Sequence, residues 1–440
     1  MRAELLYGTG TIAVEVPDGA AVYASSYPPP PGAADATVLA AIRQPRGTPP
    51  LSEMLAGRRN GDVVIVVSDI TRPIPYAHFL GAIVQEIIGA GVPAGDILIL
   101  IATGMHRPST PAERRAMFGE DICSTCRIID HRSDDDAELV ELDGTSWSGN
   151  RIRLNRHFVA AGFRIVTGLV EPHFMAGFSG GRKSVCPGLV SIDTVGNFHG
   201  YEFLADPAAR NAQLRGNPCH QEALSVARMA GVDFALSVVL NHERQVVRAF
   251  AGELELSHGI ACEFARRYAC PEVAAEHDVV LTSCGGYPLD ATFYQCVKGM
   301  VSCLPAVKRG GAIVSAGSCS EGVGSAEFRE MMLEYSGRGD EFLEWIRTSP
   351  RVVRDQWELQ MQLRAVVKVG PDNLFFATDG LPEDEVRRLS VRAAPDAADS
   401  VEQAVQKLLD GLLNGAASLA VIPEGPYCAP VEQGSAETWL

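Results

Sequence analysis

Positive charge is scarce in this sequence. Its 440 residues carry 38 Lys and Arg against 54 Asp and Glu, which gives a formal net charge of -16. Because a nucleic-acid partner requires a basic surface that neutralises phosphates, this balance argues against such a partner. An anionic ligand would have to be held locally, by helix N-termini, glycine-loop amides and single Arg or Lys side chains.

Long apolar runs and a secretion signal are also missing. No apolar run approaches the ~20 residues that span a bilayer, and the opening MRAELLYGTG has neither the apolar core nor the cleavage site of a signal peptide. The 11 cysteines are scattered, with Cys123 and Cys126 as one close pair, which fits a reducing compartment. A single C-x-x-C pair is weak evidence for structural zinc. We therefore expect a cytoplasmic protein with no membrane partner.

The sequence contains no P-loop, no G-x-G-x-x-G fingerprint and no Ser-His-Asp hydrolase elbow. What it does contain is a set of apolar runs typical of strands buried on both faces of a parallel sheet, at 62–67, 97–101 and 164–168. The pattern restarts near residue 278, with strands at 278–282 and 311–315. These runs predict an α/β fold.

The length and the restart predict two domains, each with a mainly parallel sheet flanked by helices, and an active-site crevice between them. The N-terminal domain is expected to span 1–265 and the C-terminal domain 275–410. The tail, 415–440, is expected to return to the N-terminal domain.

Polar segments follow the first three strands, at 68–73, 103–108 and 171–183. Because ligands bind at the carboxyl ends of strands in open α/β sheets, we expect these segments to meet in one crevice. Arg72 is suited to a carboxylate or phosphate, with Asp69 orienting it, although a solvated arginine at a turn is the alternative. His106, after a Thr-Gly at a strand end, is a candidate for proton transfer.

The segment 171–183 combines a histidine, a glycine-rich turn and a lysine. Its Ser-Gly-Gly turn lets the backbone approach a ligand closely, and Lys183 can act as a charge or as a covalent anchor. A Schiff base between Lys183 and pyridoxal phosphate is one possibility, but no partner for the ring nitrogen is identified. With His173 and His199, Lys183 does not form a zinc site of usual ligand spacing.

In the second half, Tyr294 and Lys298 are four residues apart and share a helix face, with Gln295 beside them. A solvated lysine over a partly buried tyrosine is the alternative, and Trp357 is of a residue type more often found in cores. Taken alone, the residues predict a crevice with two or three histidines, two lysines and an arginine. Such a crevice suits an anionic substrate and proton transfer.

Together, the motifs at 68–73, 104–108, 171–183 and 294–298 resemble those of the nickel-dependent lactate racemase family. The resemblance covers nearly the whole chain, including Pro-Glu-Gly-Pro at 423–426. It implies a racemase or epimerase of a lactate-like 2-hydroxy acid. It also implies a nickel-pincer nucleotide cofactor (nickel pyridinium-3,5-bisthiocarboxylic acid mononucleotide) and partner enzymes that mature it.

The resemblance also implies roles for residues. Lys183 resembles the lysine that is covalently joined to the cofactor, His199 the nickel ligand, and His106 and His173 the paired acid/base histidines. The other implied assignments are substrate binding by Arg72, Tyr294, Gln295 and Lys298, and cofactor binding by Asp69, Ser179, Gly180, Gly181 and Trp357.

In the implied reaction, the C2 hydride moves reversibly to the pincer ring while the two histidines exchange protons with the substrate. The alternative is a proton-abstraction racemase or lyase that uses Lys183 and the histidines without this cofactor. Met105 departs from the family pattern, which often has a smaller or polar residue at this position.

Overall fold

The computed structural model describes residues 1–57, 61–349, 352–414 and 417–434. The strands are β1 (Arg2–Tyr7), β2 (Gly10–Glu15), β3 (Ala21–Val22), β4 (Val63–Ser68), β5 (Ile97–Ala102), β6 (Arg127–Asp130), β7 (Leu139–Glu141), β8 (Arg153–Asn155), β9 (Phe163–Leu169), β10 (Pro172–His173), β11 (Gly177–Phe178), β12 (Phe234–Leu240), β13 (Val246–Gly252), β14 (Glu272–Val273), β15 (His277–Ser283), β16 (Val307–Ala316), β17 (Leu374–Ala377), β18 (Arg392–Ala393), β19 (Leu419–Ile422) and β20 (Val431–Glu432).

The α-helices of the same residues are α1 (Ala34–Arg43), α2 (Leu51–Leu55), α3 (Leu80–Gly89), α4 (Pro111–Phe118), α5 (Glu120–Thr125), α6 (Arg156–Ala160), α7 (Ile192–Phe198), α8 (Tyr201–Ala205), α9 (Pro218–Ala230), α10 (Leu254–Ala269), α11 (Phe293–Ser302), α12 (Ala326–Glu334), α13 (Gly339–Thr348), α14 (Gln356–Val369), α15 (Glu383–Val386) and α16 (Val401–Leu412). Within the described ranges, every helix is too short or too polar to cross a lipid bilayer.

The first sheet has the strand order β13-β12-β9-β4-β5-β6, and every pairing in it is parallel except that of β12 with β13. Its central strand β4 is apolar at every position from 63 to 67 because both of its faces are covered. Val63, Ile65 and Val67 face one hydrophobic cluster, and Val64 and Val66 face the other. The chain runs outward from β4 to β6 and then returns to β9 on its other side. The carboxyl ends of β4 and β9 therefore form a topological switch point, where such sheets bind ligands.

The second sheet has the order β18-β17-β16-β15-β19-β3, with parallel pairing throughout. Helix α16 packs on β2 and β16, and α14 packs on β16. The prediction of two mainly parallel sheets flanked by helices thus describes the architecture correctly. One continuous cluster of buried side chains joins Val64 of the first sheet to Val280 of the second.

At both ends of the chain, the strand pairing differs from the domain prediction. Strand β3 pairs with β19 in the second sheet, and residues of the β1–β2 hairpin such as Leu5 and Val14 are buried against Leu281. The beginning of the chain therefore packs with the second sheet rather than with the first domain. Alternating apolar residues reveal a strand with one buried face, but the surface that covers this face is decided by distant parts of the chain.

The tail likewise does not return to the first sheet, because β19 lies between β15 and β3. Beyond β19, however, Ala429 and Val431 share a buried cluster with Val170 and Phe178 beside the first sheet. Residues 415–416 and 435–440 of the predicted tail lie outside the described residues. The remaining domain limits, 265 and 275–410, stay predictions.

Candidate active site

A cavity of about 190 Å³ lies where the carboxyl ends of β4, β5 and β9 meet α11 and α14, the helices beside the second sheet. It is lined by residues from all of the predicted motifs. The predicted site residues in its wall are Asp69, Arg72, His106, His173, Ser179, Gly180, Lys183, His199, Tyr294, Gln295, Lys298 and Trp357. The three strand-end segments therefore do converge on one crevice, as parallel pairing of adjacent strands requires.

His106 and Asp69 form a hydrogen-bonded pair in the cavity wall. Nδ1 of His106 lies 2.6 Å from Oδ2 of Asp69, and the Thr71 hydroxyl donates to Oδ1 of the same carboxylate at 2.6 Å. Burial favours the neutral acid, but the bonds from His106 and Thr71 and the charge of Arg72 outweigh it and lower the pKa of Asp69. An ionised Asp69 accepts a hydrogen bond from Nδ1 of His106 and so orients the imidazole ring.

His173 is held differently, on the short β10 strand that pairs with β11. Its Nδ1 accepts hydrogen bonds from the backbone N–H groups of Met175 at 3.2 Å and Ala176 at 3.3 Å, which places the proton of the neutral ring on Nε2. Burial and the nearby charges of Lys183 and Lys298 lower the pKa of His173 well below its usual range. The two predicted acid/base histidines thus differ in their surroundings: a carboxylate faces His106, whereas backbone N–H groups and nearby cations surround His173.

Lys183 follows the glycine turn in a short 3₁₀ segment, Gly181–Ser184. Burial, with Arg182 and Arg72 nearby, lowers the pKa of Lys183 to about 7. A large fraction of its amine is therefore uncharged, and hence nucleophilic, at neutral pH. Its Nζ lies 5.2 Å from the centre of the Phe198 ring. This environment is suited to a covalent anchor.

The backbone of the glycine turn is fixed from behind by Arg182, whose side chain is fully buried. Its guanidinium donates to the carbonyl oxygens of Ala176 at 2.7 Å and Phe178 at 2.9 Å. Gly180 has a φ of 71°, and a Cβ there would lie 2.7 Å from the carbonyl oxygen of Leu169. The turn can therefore pass this close to β9 only with glycine at that position.

Gly181 does not line the cavity. Its α-carbon faces the ring of His258, where a Cβ would lie 2.5 Å from Cδ2. Of the three turn residues predicted to bind cofactor, Ser179 and Gly180 are in the cavity wall, and Gly181 packs behind it.

His199 is the C-terminal cap of α7. Its Nδ1 lies 2.9 Å from the carbonyl oxygen of Val195 and donates to it, which leaves the lone pair on Nε2. Burial and the charge of Lys183 lower the pKa of His199 to about 3, so the ring is neutral, as metal ligation requires. The Trp357 ring lies against it with a centroid distance of 4.5 Å, and Trp357 in turn donates through Nε1 to the Tyr294 hydroxyl at 2.8 Å.

Two further cations face the cavity, Arg72 after β4 and Lys298 on α11. Neither has an ion-pair partner within 4.0 Å among the residues that the structure describes. The amine of Lys298 donates to Oε1 of Gln295. Burial and the charge of Arg72 lower the pKa of Lys298, which Glu358 opposes. A protein of net negative charge thus has a locally cationic cavity, suited to a small anion.

Comparison with known proteins agrees with this geometry. A family model described as the lactate racemase N-terminal domain matches residues 7–212, and one described as the lactate racemase C-terminal domain matches 273–427. The lactate racemase of Thermoanaerobacterium thermosaccharolyticum is 36% identical over 389 residues, which are 88% of each chain. The lactate racemase of Lactiplantibacillus plantarum is 34% identical over 391 residues, 88% of this chain and 89% of the other. This chain belongs to the lactate racemase family.

Membership makes the protein an isomerase, a racemase that acts on a small molecule. The solved lactate racemase apoprotein of T. thermosaccharolyticum superimposes with a TM-score of 0.90 at 33% identity and covers 98% of this chain and 100% of that one. The predicted fold class and the predicted family are both confirmed.

The sequence-based prediction for this racemase missed the charged residues around Trp357. Arg354 and Asp355, just before α14, and Glu358, in its first turn, line the cavity wall. Three charged residues around one tryptophan are the signal that could have indicated them. The hydrogen bonds by which Arg182 fixes the glycine turn could not be predicted, because the sequence does not distinguish a buried arginine from an exposed one.

Proposed function

We propose that this protein racemises lactate, with a nickel-pincer nucleotide joined to Lys183 and with His106 and His173 as its acid/base pair. The observation that carries the proposal is the meeting, in one cavity of about 190 Å³, of three histidines, two lysines and two arginines from both halves of the chain. The relatives named lactate racemase support the choice of substrate.

The cavity residues fit the proposed cofactor. His199 has an unprotonated Nε2, the donor atom that binds nickel through imidazole, and Lys183 has an amine with a pKa lowered to about 7 by burial and neighbouring cations. Among the described residues, no group of three or more His, Cys, Asp or Glu side chains is placed to hold a metal ion. A metal coordinated here by His199 therefore needs further ligands from the bound cofactor. When bound, the nickel-pincer nucleotide would supply an acceptor for the C2 hydride of the substrate.

Arg72 and Lys298 are suited to hold the substrate carboxylate. Both are cations in the cavity wall, and the lysine ammonium and arginine guanidinium are the usual partners of a carboxylate. Holding the carboxylate from two sides keeps the C2 carbon in place while its other substituents change. Gln295 keeps the Lys298 amine in position through its Oε1.

The two histidines differ in their hydrogen-bond partners. The Asp69 carboxylate holds Nδ1 of His106, and burial with the cationic surroundings opposes the charge of His173. In one direction, a neutral His173 takes the hydroxyl proton of one enantiomer, and His106 gives a proton to the same oxygen as the other enantiomer forms. Proton uptake at Nε2 of His173 requires the tautomer with its proton on Nδ1, at the expense of two backbone hydrogen bonds. The reverse reaction starts from the opposite distribution of the proton.

The test is conversion of L-lactate to D-lactate, and the reverse, by protein co-expressed with the cofactor-making enzymes. Protein produced alone should be inactive. His106→Asn and His173→Asn should each lower kcat/KM by about 10²–10⁴. The factor should be the same in both directions, because the equilibrium constant of racemisation is one and fixes the ratio of the two kcat/KM values. His157→Asn is the matched control, since His157 pairs with Glu138 outside the cavity. Full activity of protein without cofactor, or of either cavity histidine variant, would contradict the proposal.

A further inference from the structure

Glu358 is a buried carboxyl group in the cavity wall that the proposed reaction does not yet use. Its residue is 1% exposed, and Oε1 has no hydrogen-bond partner within the part of the chain that the structure describes. No ion pair of Glu358 occurs among the described residues within 4.0 Å. A buried carboxyl oxygen without a partner is costly, so such a group indicates a ligand that satisfies it when bound.

The polar neighbours of Glu358 make hydrogen bonds to other groups. Lys298 donates to Gln295, and the Tyr294 hydroxyl accepts from Trp357 at 2.8 Å. Asp355, at the start of the same helix, accepts from the Ser325 hydroxyl at 2.5 Å. Helices α11 and α14 pack directly against each other, and Lys298 and Glu358 line the same cavity.

The charge state of Glu358 suits an anionic ligand. Burial raises the pKa of Glu358 far above the usual range of a carboxyl group, Lys298 opposes this, and Asp355 adds to it. A protonated carboxyl group is a hydrogen-bond donor, whereas an ionised one would repel a bound carboxylate. Lys298, on the facing helix, is the residue assigned above to the substrate carboxylate.

We propose that Glu358 is a further substrate-binding residue, which donates a hydrogen bond from its carboxyl group to the carboxylate of the bound 2-hydroxy acid, beside Lys298. This inference rests on the proposed function. It assigns to Glu358 the same task that a neutral buried acid performs wherever a donor is needed next to negative charge. In the free protein, Oε1 of Glu358 lacks a hydrogen-bond partner, and the bound substrate would provide a partner for this carboxyl group.

The test compares Glu358→Leu with Glu358→Gln in cofactor-loaded enzyme of equal nickel content. The leucine variant keeps the approximate volume and removes the donor, so KM for lactate should rise at least about tenfold, as for loss of a hydrogen bond to a charged group. The glutamine variant keeps an N–H donor, and its KM should stay within about threefold of wild type. The leucine variant should also have a higher Tm than wild type, because it removes a buried carboxyl group without a partner.

The matched control is Glu222→Gln. Glu222 is also 1% exposed with an unpartnered Oε1, but it lies on α9 outside the cavity and accepts from the Ser148 N–H at 3.0 Å. The KM of the Glu222→Gln variant for lactate should equal that of wild type. An unchanged KM in Glu358→Leu, an equal rise in both Glu358 variants, or a lower Tm in Glu358→Leu would each overturn the inference. Failure of the wild-type enzyme to racemise lactate would instead refute the proposed function.

Discussion

The contact between Asp69 and His106 gives the most quantitative prediction. Asp69→Asn keeps the size of the side chain and an oxygen that can still accept from Thr71, but it removes the negative charge that faces His106 at 2.6 Å. The ring then loses the carboxylate that orients it. The variant therefore tests the geometry of the acid/base pair without opening a cavity.

The magnitude follows from the type of bond. A hydrogen bond that involves a charged group contributes about 1.5–3 kcal/mol, and about 1.4 kcal/mol is a tenfold change in rate. The side chain of Asp69 is 7% exposed and that of His106 is 48% exposed, so solvent weakens the contact from one side and the lower part of the range applies. We expect kcat to fall roughly 10- to 50-fold. KM should change less than about threefold, because neither residue is assigned to hold the substrate carboxylate.

The assay is steady-state racemisation of both lactate enantiomers, with kcat expressed per bound nickel. Asp62→Asn is the control, because Asp62 lies at the opposite end of the same strand and pairs with Arg127 at the surface. The control should retain wild-type kcat. The same kcat in Asp69→Asn and Asp62→Asn at equal nickel content would refute the assigned role of Asp69.

Two further predictions concern the lysine and the glycine turn. Because its pKa is lowered to about 7, Lys183 of cofactor-free protein should react with a small acylating reagent half-maximally near pH 7 and more slowly as pH falls. Peptide mass mapping of the five lysines in the sequence measures this, and a half-point above about pH 9 would contradict the lowered pKa. Gly177→Ala should lower the free energy of unfolding in urea by at least about 2 kcal/mol, since φ is 77° and the new Cβ would lie 2.2 Å from the carbonyl oxygen of Gln213. Gly81→Ala, in α3 with no heavy atom within 4 Å of the added carbon, is its control, and equal losses in the two variants would exclude a steric cause.

Sequence-based reasoning located the site because the signals there are local. An apolar run such as 63–67 must be covered on both faces, and the polar segment after it must lie at the carboxyl edge of the sheet. Asp69, His106 and Lys183 could therefore be placed near one another from the sequence alone. Their roles came from the resemblance to a family, because spacing alone does not name a cofactor.

What could not be predicted depends on contacts between distant parts of the chain. The pairing of β3 with β19 joins residues near the two ends of the chain, and no local pattern specifies such a partner. The burial of Arg182 and Glu358 likewise follows from the packing of several elements. In the sequence, both residues resemble exposed charged residues, which is the usual state of their type.

The most direct test of the central claim is racemisation of lactate that carries deuterium at C2, using protein co-expressed with the cofactor-making enzymes. Mass spectrometry of the product measures how much of the label remains. Reversible hydride transfer predicts that the deuterium stays at C2 of the opposite enantiomer while the hydroxyl proton, handled by His106 and His173, exchanges with solvent. Loss of the C2 deuterium to solvent at the rate of racemisation would contradict hydride transfer and favour proton abstraction from carbon.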